Sequence, residues 1–191
     1  LSGLPNVFIP RYDQANIEDS VIMHLDTQEY SLSLSDISDQ VFNAVTYSDE
    51  LEIYSLSFMI YDDCQFEKAD DTILTNEVEG EYYTKIMNSL LKKIDDELSG
   101  KNEYDRIESS KSRRFVYTDD SCISFIQVAV RDNVMDFHCV LRSSDVENIF
   151  QYDLKFLYFL ASKCFDRLEL ESEEINKVRL RFNLNSAHTV Q

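Results

Sequence analysis

From Glu81 to Leu98 the apolar residues Tyr83, Ile86, Met87, Leu90, Leu91, Ile94 and Leu98 recur at helical spacing. That spacing lays an apolar stripe along one face of an α-helix and leaves the charges opposite it. Gly100 follows where helices commonly stop. Across Glu52–Tyr61 the residues Ile53, Tyr54, Leu56, Phe58 and Ile60 fall largely on alternate positions, the pattern of a strand. Arg114 to Thr118, Cys122 to Val130, Val134 to Leu141 and Val178 to Leu184 read as further strands. Arg131-Asp132-Asn133 predicts a hairpin, because Asn tolerates the left-handed backbone such turns use. Val146 to Leu168 is different. Leu154, Leu157, Phe159, Leu160, Ala161, Cys164 and Phe165 leave little polar face, which predicts a long buried helix. Asp36 is placed to cap a short helix through Val45. Residues 1–35 read as irregular, Asp62 to Thr75 as an acidic loop, and Lys101 to Ser112 as a polar loop. Strands interspersed with two substantial helices give an α+β class.

At 191 residues the chain suits one domain or two small ones and can bury a core without metals or disulfides. Three glycines cannot supply a P-loop or a dinucleotide fingerprint. The net charge is −18 and unevenly spread. Residues 1–80 hold 17 acidic and 2 basic side chains; residues 81–191 hold 19 and 16. The shift marks off an acidic N-terminal segment, either part of the same domain or a divergent extension. It argues against general binding to nucleic acid or anionic membranes. An acidic face is ordinarily a solvated one, with a basic partner as the alternative.

Cys64, Cys122, Cys139 and Cys164 form no C-x-x-C pair, and no signal-peptide pattern opens the sequence, so free thiols and a cytoplasmic location are expected. His24, His138 and His188 are too scattered for a zinc pattern, so no metal is expected. The strongly apolar run Phe156–Ala161 is far too short to span a bilayer.

Three short stretches carry candidate chemistry: Ser112-Arg113-Arg114, Ser121-Cys122, and Arg142-Ser143-Ser144-Asp145-Val146. Singly, their ordinary readings are surface charge, a small buried hydrophobe and a helix cap. Together and in this order, with Asp153 and Ser186-Ala187-His188, they resemble the thymidylate synthase and pyrimidine-nucleotide hydroxymethylase superfamily. The resemblance runs from Tyr82 to His188 and is densest over Ser121–Ala161. That family carries an Arg pair, a Pro-Cys opening a strand, a hairpin, then R-S-x-D-V, an Asn or Asp at the position of Asp153, and S-x-H-x-Y.

The resemblance implies a mixed sheet packed on a long buried central helix, with residues 81–191 as the core. It implies one-carbon transfer to C5 of a pyrimidine nucleoside monophosphate, with 5,10-methylenetetrahydrofolate as donor. Cys122 would add to C6 and make C5 nucleophilic. Arg142 would favour its thiolate. Arg142 and Ser143, with Arg113 and Arg114 from the partner of a twofold homodimer, would hold the 5′-phosphate. Asp145 would meet the pyrimidine through its backbone amide, and His188 the sugar hydroxyl. Asp153 would accept from the cytosine amino group, which points to a deoxycytidylate-type hydroxymethylase. The alternative is a non-catalytic homologue that binds a nucleotide or a protein through its acidic surface. The sequence departs from the family at Ser121, where Pro is usual, at Ile123 and at Val190, where Tyr is usual. It has no Trp. The family's early catalytic Glu has only Glu50 and Glu52 as candidates.

Overall fold

A computed structural model describes residues 7–8, 20–26, 33–46, 54–99, 115–169 and 175–189. Among them are β1 (Val7–Phe8), β2 (Ser20–Asp26), α1 (Leu34–Thr46), β3 (Tyr54–Asp62), a 3-10 turn (Asp71–Thr75), α2 (Gly80–Leu98), β4 (Phe115–Thr118), β5 (Ile123–Arg131), β6 (Val134–Leu141), β7 (Ser144–Asp145), α3 (Phe150–Glu169) and β8 (Lys177–His188). The strands make one mixed sheet in the order β1-β2-β3-β8-β6-β5-β4, with β7 added beside β8. β8 is the pivot. It runs antiparallel to β3 and parallel to both β6 and β7. The class is α+β.

Strict alternation explains why one face of this sheet is buried. Met135, Phe137, Cys139 and Leu141 of β6, and Val178, Leu180, Phe182 and Leu184 of β8, all point into the core. Leu56, Phe58 and Ile60 do the same on β3. The rings of Phe58 and Phe182 stack at 4.7 Å across the β3–β8 pair. All three helices meet on this side, α1 and α2 both packing against α3. The stripe Tyr83, Ile86, Leu90, Ile94 of α2 is buried, as are ten apolar residues of α3 from Leu154 to Leu168. Each such side chain contributes about 1.5–3 kcal/mol of burial. Among the described residues no helix covers the opposite face.

Local details correct the sequence reading in several places. The first 35 residues are not wholly irregular, since β1 and β2 lie there, β2 running parallel to β3. Asp36 does not cap α1 as its first residue. Ser33 does, its Oγ accepting from Asp36 N–H at 3.0 Å while the Asp36 carboxylate accepts from Ser33 N–H at 2.8 Å, a reciprocal capping box. Within the Val146–Leu168 stretch α3 begins at Phe150, after a turn that the Asp145 carboxylate organises. Asp62 is no loop residue. It is buried at the end of β3, accepting from Tyr158 O–H and from the N–H groups of Gln65 and Phe66. Those bonds hold Phe66 at a φ of 47°, rare for an aromatic residue. Asp132 and Asn133 turn the β5–β6 hairpin at φ 48° and 64°. Gly80 is required where α2 starts, since a Cβ there would collide with the Leu74 carbonyl oxygen.

Candidate functional site

The hairpin register brings two of the candidate stretches together. Ile123 pairs with Leu141, so the residues just outside the pair, Cys122 and Arg142, are neighbours. Arg142 N–H donates to the Cys122 carbonyl at 2.8 Å. Both side chains are exposed. The chain then crosses to β8. Ser144 pairs with Ala187 and Asp145 with His188, and Val146 N–H donates to the His188 carbonyl at 2.9 Å. The Arg142–Asp145 turn therefore lies between Cys122 on one side and His188 on the other.

Helix α2 supplies a pair of tyrosines to this place. The Tyr82 hydroxyl accepts from Ile123 N–H at 3.0 Å and lies 2.7 Å from Ser121 Oγ, which fixes the backbone on either side of Cys122. Tyr83 is fully buried, stacks on Phe156 at 4.3 Å, and donates its hydroxyl to Asp153 Oδ1 at 2.8 Å. Asp153 is only 2% exposed in the first turn of α3. It is a buried carboxyl that accepts from a neutral phenol and not from a cation. Burial drives its pKa up to about 7, aided by the charge of Glu79 and opposed by the Tyr83 hydrogen bond. Tyr83 in turn is pushed above the usual phenol range, first by burial and then by Asp153.

The electrostatics of Cys122 differ from the sequence expectation. Arg142 does favour the thiolate, but burial and the nearby Asp153 charge outweigh it, and Glu79 adds to them. The Cys122 thiol is therefore raised and not lowered. Asp153, Arg142 and Glu79 thus all act on Cys122, and Glu79 acts on Asp153 as well.

The other expected residues are placed as follows. Ser143 is half-buried beside Arg142. The Asp145 carboxylate is committed to its own turn, accepting from Glu147 and Asn148 N–H at 3.1 and 3.2 Å and from Asn148 Nδ2 at 2.9 Å. His188 is half-buried, its Nδ1 lying 3.2 Å from the Ser186 carbonyl. Ser144 Oγ is buried with no hydrogen-bond partner among the described residues. Arg113 and Arg114 lie outside the described residues, as do Glu50, Glu52 and Val190. Sequence reading missed Glu79, Tyr82 and Tyr83 as parts of this place. Tyr83 was legible as core. Its polar tip, which a buried tyrosine must satisfy, was the available signal.

Among the described residues no three His, Cys, Asp or Glu side chains converge where a metal ion could sit. Among them, too, no helix is long and apolar enough to cross a membrane. No family model and no curated protein matches the chain. Among solved structures, the thymidylate synthase of T4 phage is similar over 53% of this chain and 35% of its own length, at 17% identity and a TM-score of 0.36. The chain thus spans about a third of that enzyme's length. A likeness this slight carries no argument about function.

Proposed function

We propose that the surface at Cys122 and Arg142, with buried Asp153 nearby, binds a pyrimidine nucleoside monophosphate and activates its C5 position, as a deoxycytidylate-type hydroxymethylase does. The observation that supports this most is the joining of an exposed Cys122 to Arg142 by the β5–β6 register, with buried Asp153 close enough to perturb the thiol. Arg142 and Ser143 would take the phosphate, with Arg113 and Arg114 contributed by the second copy of a homodimer. His188 would meet the sugar. Asp153 would read the base. Glu79, whose charge acts on both Cys122 and Asp153, would be the carboxylate that moves a proton there.

Tyr83 occupies Asp153 Oδ1, which leaves Oδ2 to read the base. Ionised, Oδ2 accepts from the cytosine amino group. Protonated, it donates instead and suits uracil O4. Base choice therefore follows the protonation state of a carboxyl that titrates near neutrality.

The Tyr82 and Tyr83 hydroxyls are already engaged with Ser121, Ile123 and Asp153. The chemistry at Cys122 is reversible addition, which needs no one-carbon donor. The Cys122 thiolate adds to C6, C5 becomes carbanionic, and a proton exchanges there before the thiolate leaves. A second reading, binding without chemistry, is favoured by the raised Cys122 thiol.

Hydrogen–deuterium exchange at C5, read by mass spectrometry, separates the two. Exchange on deoxycytidylate that stops in Cys122→Ser supports the catalytic reading. Binding of the nucleotide without exchange establishes the second one. No binding of either nucleotide would remove both.

A further inference from the structure

The uncovered face of the sheet has a charge pattern opposite to that of the chain. Its registers place Ala129 beside Asp136 and Asp136 beside Arg179; one step along, Gln127, His138 and Arg181 align; one step the other way, Arg131 faces Val134. Ala129 and Val134 are short, while the arginines around them are long. The face therefore sinks into a depression of about 540 Å³, within the size range of small-molecule sites.

Asp136 organises two of the arginines. Arg179 donates to it through Nε at 3.4 Å and Nη2 at 2.8 Å, and Arg181 through Nε at 3.0 Å and Nη2 at 2.7 Å. One carboxylate thus aligns two planar guanidinium forks. A guanidinium has more N–H groups than this carboxylate uses, so each fork keeps donors for another ligand. Three guanidinium groups and one carboxylate line the depression. His138 adds no charge near neutrality, because burial and Arg181 both hold its pKa down. The excess is positive on a chain of net charge −18.

We propose that this depression binds a tetrahedral oxyanion, either inorganic phosphate or a phosphate monoester, held by Arg131, Arg179 and Arg181. The excess positive charge matches a dianion, and paired forks suit its oxygens. The site lies on the opposite face of the sheet from α3 and its Asp153, and stands apart from the nucleotide reading. A twofold contact across this face would bring the arginines of two copies together, and a bound anion would offset that repulsion.

Calorimetric titration of inorganic phosphate, and separately of ribose 5-phosphate, at constant ionic strength tests the proposal. Saturable binding is expected, weakened about tenfold by Arg181→Gln and by the exposed hairpin variant Arg131→Gln. Lys92→Gln, which removes an exposed cation on α2 away from both sites, should leave it unchanged. Phosphate binding alone marks a free-ion site; tighter binding of the ester marks a sugar-phosphate site. Binding that survives both sheet-face variants and vanishes in Arg142→Gln belongs to the nucleotide site and overturns the proposal. So does the absence of saturable binding, or heat that chloride at equal ionic strength abolishes. If phosphate still binds here while deoxycytidylate binds nowhere, the nucleotide reading fails and this one stands.

Discussion

The two faces of the sheet treat a carboxyl group in opposite ways. On the open face, Asp136 keeps 18% of its side chain exposed and is matched by two arginines. On the helix-covered face, Asp153 is 2% exposed and is met by a tyrosine hydroxyl. Where water reaches, charge is answered with charge. Where it does not, the carboxyl moves its proton affinity to about 7. A buried acid tuned to neutrality beside an exposed thiol and an arginine is a functional-site signal. The anion site on the open face rests on the shape of the depression and on the donors its arginines keep.

The largest effect expected from breaking this contrast is on ligand binding. Arg142→Gln should weaken deoxycytidylate binding by about a hundredfold, the scale of removing one partner from a charge pair that the bound nucleotide would itself cover. Lys155→Gln, on the same side but beyond the turn, should change it little. Calorimetry of the two variants checks this.

The next effect is on stability. The carboxyl of Asp153 has a folded pKa of about 7 against an ordinary value of 3.8, so the folded state holds the proton more tightly. Its contribution is complete below the unfolded pKa and is lost as pH rises through the folded one. Denaturant midpoints of the wild type should therefore fall between about pH 4 and 7, by up to a few kcal/mol from this group. Asp153→Asn should remove that part of the slope. Parallel pH profiles for wild type and variant would show that the carboxyl is not buried as described.

Gly80→Ala should cost about 1–3 kcal/mol, since the Leu74 carbonyl must shift to admit the new methyl group. Because Gly80 opens the helix that carries Tyr82 and Tyr83, nucleotide affinity should drop with it. An unchanged unfolding midpoint would contradict the close approach. The smallest effect belongs to the open face. Asp136→Asn should cost about 1 kcal/mol or less, as expected of a solvated pair, and the cost should shrink with added salt. Chemical denaturation at low and high salt measures it.

What was legible in the sequence follows the same division. α2, the β5–β6 hairpin and most of β8 were readable because each carries its own period and turn signal, such as Asn133 at positive φ. β2 was not, because its pairing with β3 is parallel and long-range, with no turn between them to mark it. Asp62 looked like one more acid in an acidic run, and only the fold reveals that Tyr158 buries it. At the site, the order of the Cys122, Arg142 and Asp153 stretches was visible, but their environment was not. A pattern of residue types indicates that an arginine follows a cysteine. It does not show that a buried carboxyl nearby outweighs that arginine and raises the thiol.

The central claim is that Asp153, with one oxygen held by Tyr83, faces the pyrimidine of a nucleotide bound at Arg142. The most direct test is the affinity of the wild type for deoxycytidylate and deoxyuridylate, measured by calorimetry well above and well below the Asp153 pKa of about 7. Cytosine should be preferred by about tenfold at the higher pH, where the carboxylate accepts from its amino group, and the preference should shrink or invert at the lower pH. A ratio of affinities that does not move with pH, or nucleotide binding that Asp153→Asn leaves untouched, would contradict the account.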